Sequence, residues 1–89
     1  MGKVQTIDND ELYNAILKLE TVEECRNFFE DLCTVTELAS ITQRLKVAKM
    51  LTENCVYTDI AAKTGASTAT ISRVNRSLRD GNNGYDVVF

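Results

Sequence analysis

The stretch between positions 64 and 79 carries polar groups suited to one task. Ser67, Thr68, Thr70 and Ser72 offer hydroxyls, Arg73, Arg76 and Arg79 offer guanidinium groups, and no acid interrupts them. Hydroxyls at the start of a helix reach phosphate oxygens and base edges, and a guanidinium can bond guanine O6 and N7 together. Ala69 has only a methyl, which can touch a thymine methyl or leave clearance. This is chemistry of recognition. Catalysis is poorly served, because the chain has no histidine and so no imidazole for general acid–base work or for a serine or cysteine dyad. Cys25, Cys33 and Cys55 are odd in number, and their spacing fits no zinc motif. They read as buried thiols or surface bystanders. No metal, cofactor or enzymatic activity is expected.

The elements that must position these groups are legible. Residues 57–76 fit a helix-turn-helix by spacing. Ile60 and Ala61 belong on the inner face of a helix ending at position 64. Gly65, four residues after Ala61, supplies a left-handed C-cap and opens the turn. Ser67 is the next N-cap, and a second helix runs from about 68 to 79. Ala66, Ile71 and Val74 face inward. Ser67, Thr68, Thr70, Ser72, Arg73, Asn75, Arg76 and Arg79 remain outside. The glycines and asparagines of positions 81–84 stop the helix. Within the tail 81–89, the final Tyr85-Asp86-Val87-Val88-Phe89 is apolar enough to dock, but its structure is not readable.

Upstream, three helices are expected. Asp8, Asn9 and Asp10 offer capping oxygens to a short helix striped by Leu12, Ile16 and Leu19. Thr21 with Glu24 reads as a capping box, followed by Val22, Cys25, Phe29 and Leu32 at helical spacing. Thr34 with Glu37 reads as another, opening the longest helix, to about position 52. Leu38, Ile41, Leu45 and Ala48 stripe it, with Val47, Met50 and Leu51 on a further face. The plain reading of each stripe is core; a surface for a partner chain is the alternative.

Composition agrees with one small helical domain. Of 89 residues, 44% are hydrophobic and 26% charged, which is globular rather than disordered. There is no proline, and three of the four glycines lie at or beyond position 65. No apolar run approaches the ~18–20 residues that span a bilayer. No secretory signal is visible at the start, so a cytoplasmic location is expected. The net charge of −3 conceals a division. Positions 1–40 hold three bases against nine acids, and positions 41–89 hold seven bases against four. Screening over about 10 Å makes the local sign the relevant one.

The segment Ala66-Ser67-Thr68-Ala69-Thr70-Ile71-Ser72-Arg73-Val74-Asn75-Arg76-Ser77-Leu78 resembles the recognition segment of the Trp repressor superfamily, most closely its YerC/YecD branch. The similarity extends back through Gln43-Arg44-Leu45-Lys46-Val47-Ala48-Lys49-Met50-Leu51 and covers most of positions 10–80. The resemblance implies an all-α, intertwined homodimer of about five helices per chain, ending in the helix-turn-helix. Positions 8–52 would serve dimerisation, 57–79 would form the helix-turn-helix, and 81–89 a tail. Each subunit would present one recognition helix to a palindromic operator. The resemblance also implies a ligand pocket. Arg44 and Arg73 match the two arginines that flank the bound indole, and Ser77 matches a serine near its amino group. Val74 departs from the pattern, standing where the repressor has glycine. Its side chain takes volume the indole needs. The pocket at Arg44, Arg73, Val74 and Ser77 is therefore expected to be vestigial, with tryptophan disfavoured and any other effector unidentified.

The expectation is a sequence-specific DNA-binding transcriptional regulator, most simply a repressor. It would bind double-stranded DNA as a homodimer through Ser67, Thr68, Ala69, Thr70, Ser72, Arg73, Arg76 and Arg79. The competing reading is a helical protein-interaction or adaptor module that does not touch DNA.

Overall fold

A computed structural model describes residues 8–89. They hold five α-helices, a short 3-10 helix and no strand, so the all-α expectation holds. The described residues divide into two compact units, one ending at Thr34 and one spanning Val35–Phe89.

The first unit contains α1 (Asp10–Ile16) and α2 (Val22–Leu32). Asp8 Oδ1 accepts from the Asp10 N–H at 2.9 Å, while Asn9 makes no side-chain cap. The helix stops before Leu19. Residues 17–19 continue in tighter turns, with Lys18 N–H on the Ala15 carbonyl and Leu19 N–H on that of Ile16. The box before α2 forms with a shift: Thr21 Oγ1 accepts from Glu24 N–H at 3.0 Å, but Glu24 Oε1 accepts from Glu20 N–H at 2.8 Å, one residue earlier than a regular box predicts. Phe28 and Phe29 meet edge to face, with centroids 5.4 Å apart. No described residue of this unit is fully buried. Leu12, Tyr13, Leu17, Val22 and Leu32 are exposed. The core reading of these two stripes is corrected: in the single chain much of each is surface, since two short helices enclose little volume.

The second unit contains α3 (Val35–Thr52), α4 (Tyr57–Thr64), α5 (Thr68–Asp80) and the 3-10 helix Gly84–Val87. The three α-helices pack on one another around Val47, Ala48, Ile60, Ala66, Ile71 and Val74. Met50, Leu51, Cys55, Tyr57, Ala61, Leu78 and Tyr85 surround them. Full burial of a side chain such as Ile60 or Ile71 contributes up to about 3 kcal/mol. α3, with 18 residues, is about 27 Å long, whereas the 8 residues of α4 span about 12 Å. The fully buried residues of α3, Val47 and Ala48, lie in its C-terminal half. Ile41 and Leu45 are exposed and Val35 is 88% exposed, so the expected stripe enters this core only at Ala48.

Local chemistry explains the connections. α3 ends in a Schellman motif: Asn54 adopts φ 64°, its N–H bonds the Leu51 carbonyl at 3.0 Å, and Cys55 N–H bonds that of Met50 at 3.0 Å. Gly65 closes α4 at φ 74°, a conformation that an L side chain adopts only at a cost. α5 ends at Gly81, where a Cβ would overlap the Ser77 carbonyl oxygen. The tail then folds back. Tyr85 packs against the core and stacks on Phe89, with centroids 5.7 Å apart.

Candidate nucleic-acid interface

Sequence chemistry fixes the start of α5. Ser67, in extended backbone, accepts the Thr70 N–H on its Oγ at 3.1 Å and donates its hydroxyl hydrogen to Thr70 Oγ1 at 3.1 Å. The turn before it is tied by Thr64, whose Oγ1 donates to the Ile60 carbonyl at 2.7 Å and accepts from Ala66 N–H at 3.1 Å. From α3, Gln43 Nε2 donates to the Thr64 carbonyl at 3.1 Å. The corner that aims α5 is thus held from both sides.

Helical periodicity then divides α5. Ile71 and Val74 are buried and Leu78 is half-buried. Thr68, Ala69, Arg73, Arg76 and Arg79 are exposed, as is Ser67 just before the helix; Thr70 and Ser72 are half-buried. The expected recognition residues therefore share one helix, and six of the eight lie open to solvent. Arg73, Arg76 and Arg79 follow at intervals of three, which places successive guanidinium groups along one side. The first acid on this helix is Asp80, at its end. Such a surface donates hydrogen bonds and attracts anions.

Asn75 differs from its expected place outside. It is half-buried, and its Nδ2 donates to the Tyr57 hydroxyl oxygen at 3.2 Å. Its position, four after buried Ile71 and three after Ser72, lies on the seam between the two faces of α5.

Of the four residues of the expected vestigial pocket, Arg73, Val74 and Ser77 lie on α5 and Arg44 on α3. Val74 is 3% exposed and part of the apolar core. Arg44 and Arg73 are exposed. Ser77 Oγ donates to the Arg73 carbonyl at 3.3 Å, a bond within the helix. Ser77 also lines an open groove of about 460 Å³ with Leu45, Gly81, Tyr85 and Val88, to which Arg44, Arg73 and Val74 contribute nothing. Among the described residues no three His, Cys, Asp or Glu side chains gather as a metal site, and no helix is long and apolar enough to cross a membrane.

A helical hairpin closed by a left-handed glycine, with its second helix buried on one side and cationic on the other, defines an all-α helix-turn-helix protein. The chain belongs to the Trp repressor family, whose model, described as Trp repressor protein, matches residues 8–89. The family is one of helical DNA-binding regulators. The chain is 52% identical over 89 residues to YerC, an uncharacterised protein of Bacillus subtilis (strain 168), spanning 100% of this chain and 86% of YerC. It is 61% identical to a TrpR-like protein from Eubacterium eligens ATCC 27750, whose crystal structure superposes with a TM-score of 0.87 over 90% of this chain and 82% of that one. A candidate Trp repressor from Staphylococcus aureus is 57% identical, with a TM-score of 0.85 over 89% of this chain and 79% of its own.

Proposed function

We propose that this protein is a sequence-specific transcriptional regulator, a repressor, that binds a palindromic operator as a homodimer and does so without tryptophan. The observation that carries this reading is the division of α5, with Ile71 and Val74 buried and Arg73, Arg76 and Arg79 exposed. In the major groove, Thr68, Ala69 and Thr70 would lie near base edges and the arginines near phosphates or guanine. The exposed apolar residues of α1, α2 and the first half of α3 favour a second copy as their cover, since large unpartnered apolar surface is uncommon on monomers. Independence from tryptophan follows from Val74. Its side chain already fills space among Val47, Ala48, Ile60 and Ile71, and a packed core does not admit an indole freely.

The test is a salt series on mixed-sequence duplex DNA. Binding through phosphates weakens steeply as salt rises. Arg76→Ala and Arg79→Ala should each weaken binding to every sequence and flatten the salt slope by about one unit per lost phosphate contact. Slopes unchanged in both variants would remove these arginines from the interface. Absence of any salt-dependent retention by the native chain would favour the protein-interaction module instead.

A further inference from the structure

After α5 the chain turns through Asn82-Asn83-Gly84 into the 3-10 helix. Of its seven asparagines, only Asn83 precedes a glycine. An asparagine side chain can be attacked by the main-chain nitrogen of the next residue, and a Cβ on that residue obstructs the approach. Most of the other asparagines are protected further. The Asp10 N–H bonds Asp8 Oδ1, the Cys55 N–H bonds the Met50 carbonyl, and the nitrogens after Asn14, Asn27 and Asn75 lie inside helices. Gly84 is different. It opens the 3-10 helix, so its N–H has no partner within it. A Cβ built on it meets no atom within 4 Å. Asn83 is exposed, at φ 60° and ψ 23°. Its carbonyl accepts the Asp86 N–H at 3.1 Å. Across 81–89 only Tyr85 is not exposed, and it packs against the core.

We propose that Asn83 is a site of spontaneous deamidation, gated by docking of the tail, whose product leaves the tail undocked. The Gly84 nitrogen gives its proton to solvent and attacks Asn83 Cγ. The side-chain nitrogen leaves as ammonia, and a cyclic imide closes. Water then opens the ring. Opening at the side-chain carbonyl gives aspartate. Opening at the main-chain carbonyl gives isoaspartate, whose main chain runs through Cβ. The balance is one amide and one water in, one carboxylate and ammonia out, with no oxidant or metal. Ring closure needs the Asn83 ψ to rotate away from 23°, bringing the Gly84 nitrogen round to the side chain. That rotation takes the carbonyl off the Asp86 N–H and pulls on Tyr85, two residues along. The rate therefore follows the fraction of time the tail is undocked, and a tail with one half-buried anchor opens readily. In isoaspartate an added main-chain carbon displaces the carbonyl that held Asp86. Either product also sets a carboxylate between Asp80 and Asp86. Both changes oppose redocking.

The test incubates the whole protein at neutral pH and compares it with an unincubated sample. Trypsin cutting after Arg79 releases residues 80–89 for mass spectrometry. Replacement of NH by O should appear at Asn83 and not at Asn82 or Asn54, with isoaspartate among the products. Gly84→Ala places its methyl in open space, so it should keep the native circular dichroism and lose the modification over the same period. Tyr85→Ala removes the anchor and should speed the reaction about fivefold, as expected for the lost burial of a half-buried ring. The native chain unfolded in urea should also react faster. Chymotrypsin should cut after Tyr85 sooner in the modified chain than in the unmodified one. An unmodified Asn83, equal modification at Asn82, or persistence of the reaction in Gly84→Ala would overturn the proposal. One rate for the native chain, Tyr85→Ala and the urea-unfolded chain would overturn the gate. Equal cleavage after Tyr85 in both forms would overturn the release of the tail.

Discussion

Gln43 Nε2 donates to the carbonyl oxygen of Thr64 at 3.1 Å, joining residues twenty-one positions apart. The acceptor belongs to the last turn of α4, where carbonyls have no partner within the helix. One side chain of α3 thus anchors the corner from which α5 departs. Gln43→Ala should lower unfolding stability by about 1 kcal/mol, the usual net contribution of such a bond. Urea denaturation at fixed chain concentration reads this as a lower midpoint with an unchanged slope. A midpoint equal to that of the native chain would show that the bond adds nothing.

Gly65 is needed for its backbone rather than for space. The nearest atom to a Cβ built there is Gln43 Nε2, 3.9 Å away, which is ordinary contact. The φ of 74° is the obstacle. Gly65→Ala should cost about 1 kcal/mol and lower Tm by about 4–8 °C. A variant that melts with the native protein would show that the corner does not require the left-handed conformation.

Val74 joins the stability of the hairpin to its ligand independence. Val74→Ala should destabilise by about 2 kcal/mol, through lost burial and an incompletely collapsed cavity. Native protein titrated with L-tryptophan in a calorimeter should give no saturable heat. Saturable heat at micromolar ligand would contradict the reading that Val74 occupies the needed volume.

Local chemistry was the most legible part of the chain. Thr21, Ser67 and Gly65 act within three or four residues of themselves, and each does what its type and spacing predict. The Asn54 cap was harder to foresee because it depends on a left-handed asparagine, which no spacing marks. Helix extent failed at Leu19, where apolar spacing persists but the backbone has already tightened. The apolar stripes were visible, but their burial was not. Whether Ile41 or Leu45 is core depends on what lies opposite, and a periodic pattern says only that something can. Of the site, the outer residues of α5 follow from the 3.6-residue repeat. Asn75 lies on a seam, where a small change in helix rotation decides the face, so the repeat does not settle its side. Its bond to Tyr57, like that of Gln43 to Thr64, joins distant positions and leaves no periodic trace.

The most direct test of the account is selection of bound sequences from a pool of random duplex DNA by the native protein at ~100 mM salt. The account predicts enrichment of a two-fold symmetric site whose half-sites lie about one helical turn apart, with preferences that change on substituting Thr68, Ala69 or Thr70. A pool that shows no enrichment after repeated rounds, or an enriched site without symmetry that those substitutions leave unaltered, would contradict it.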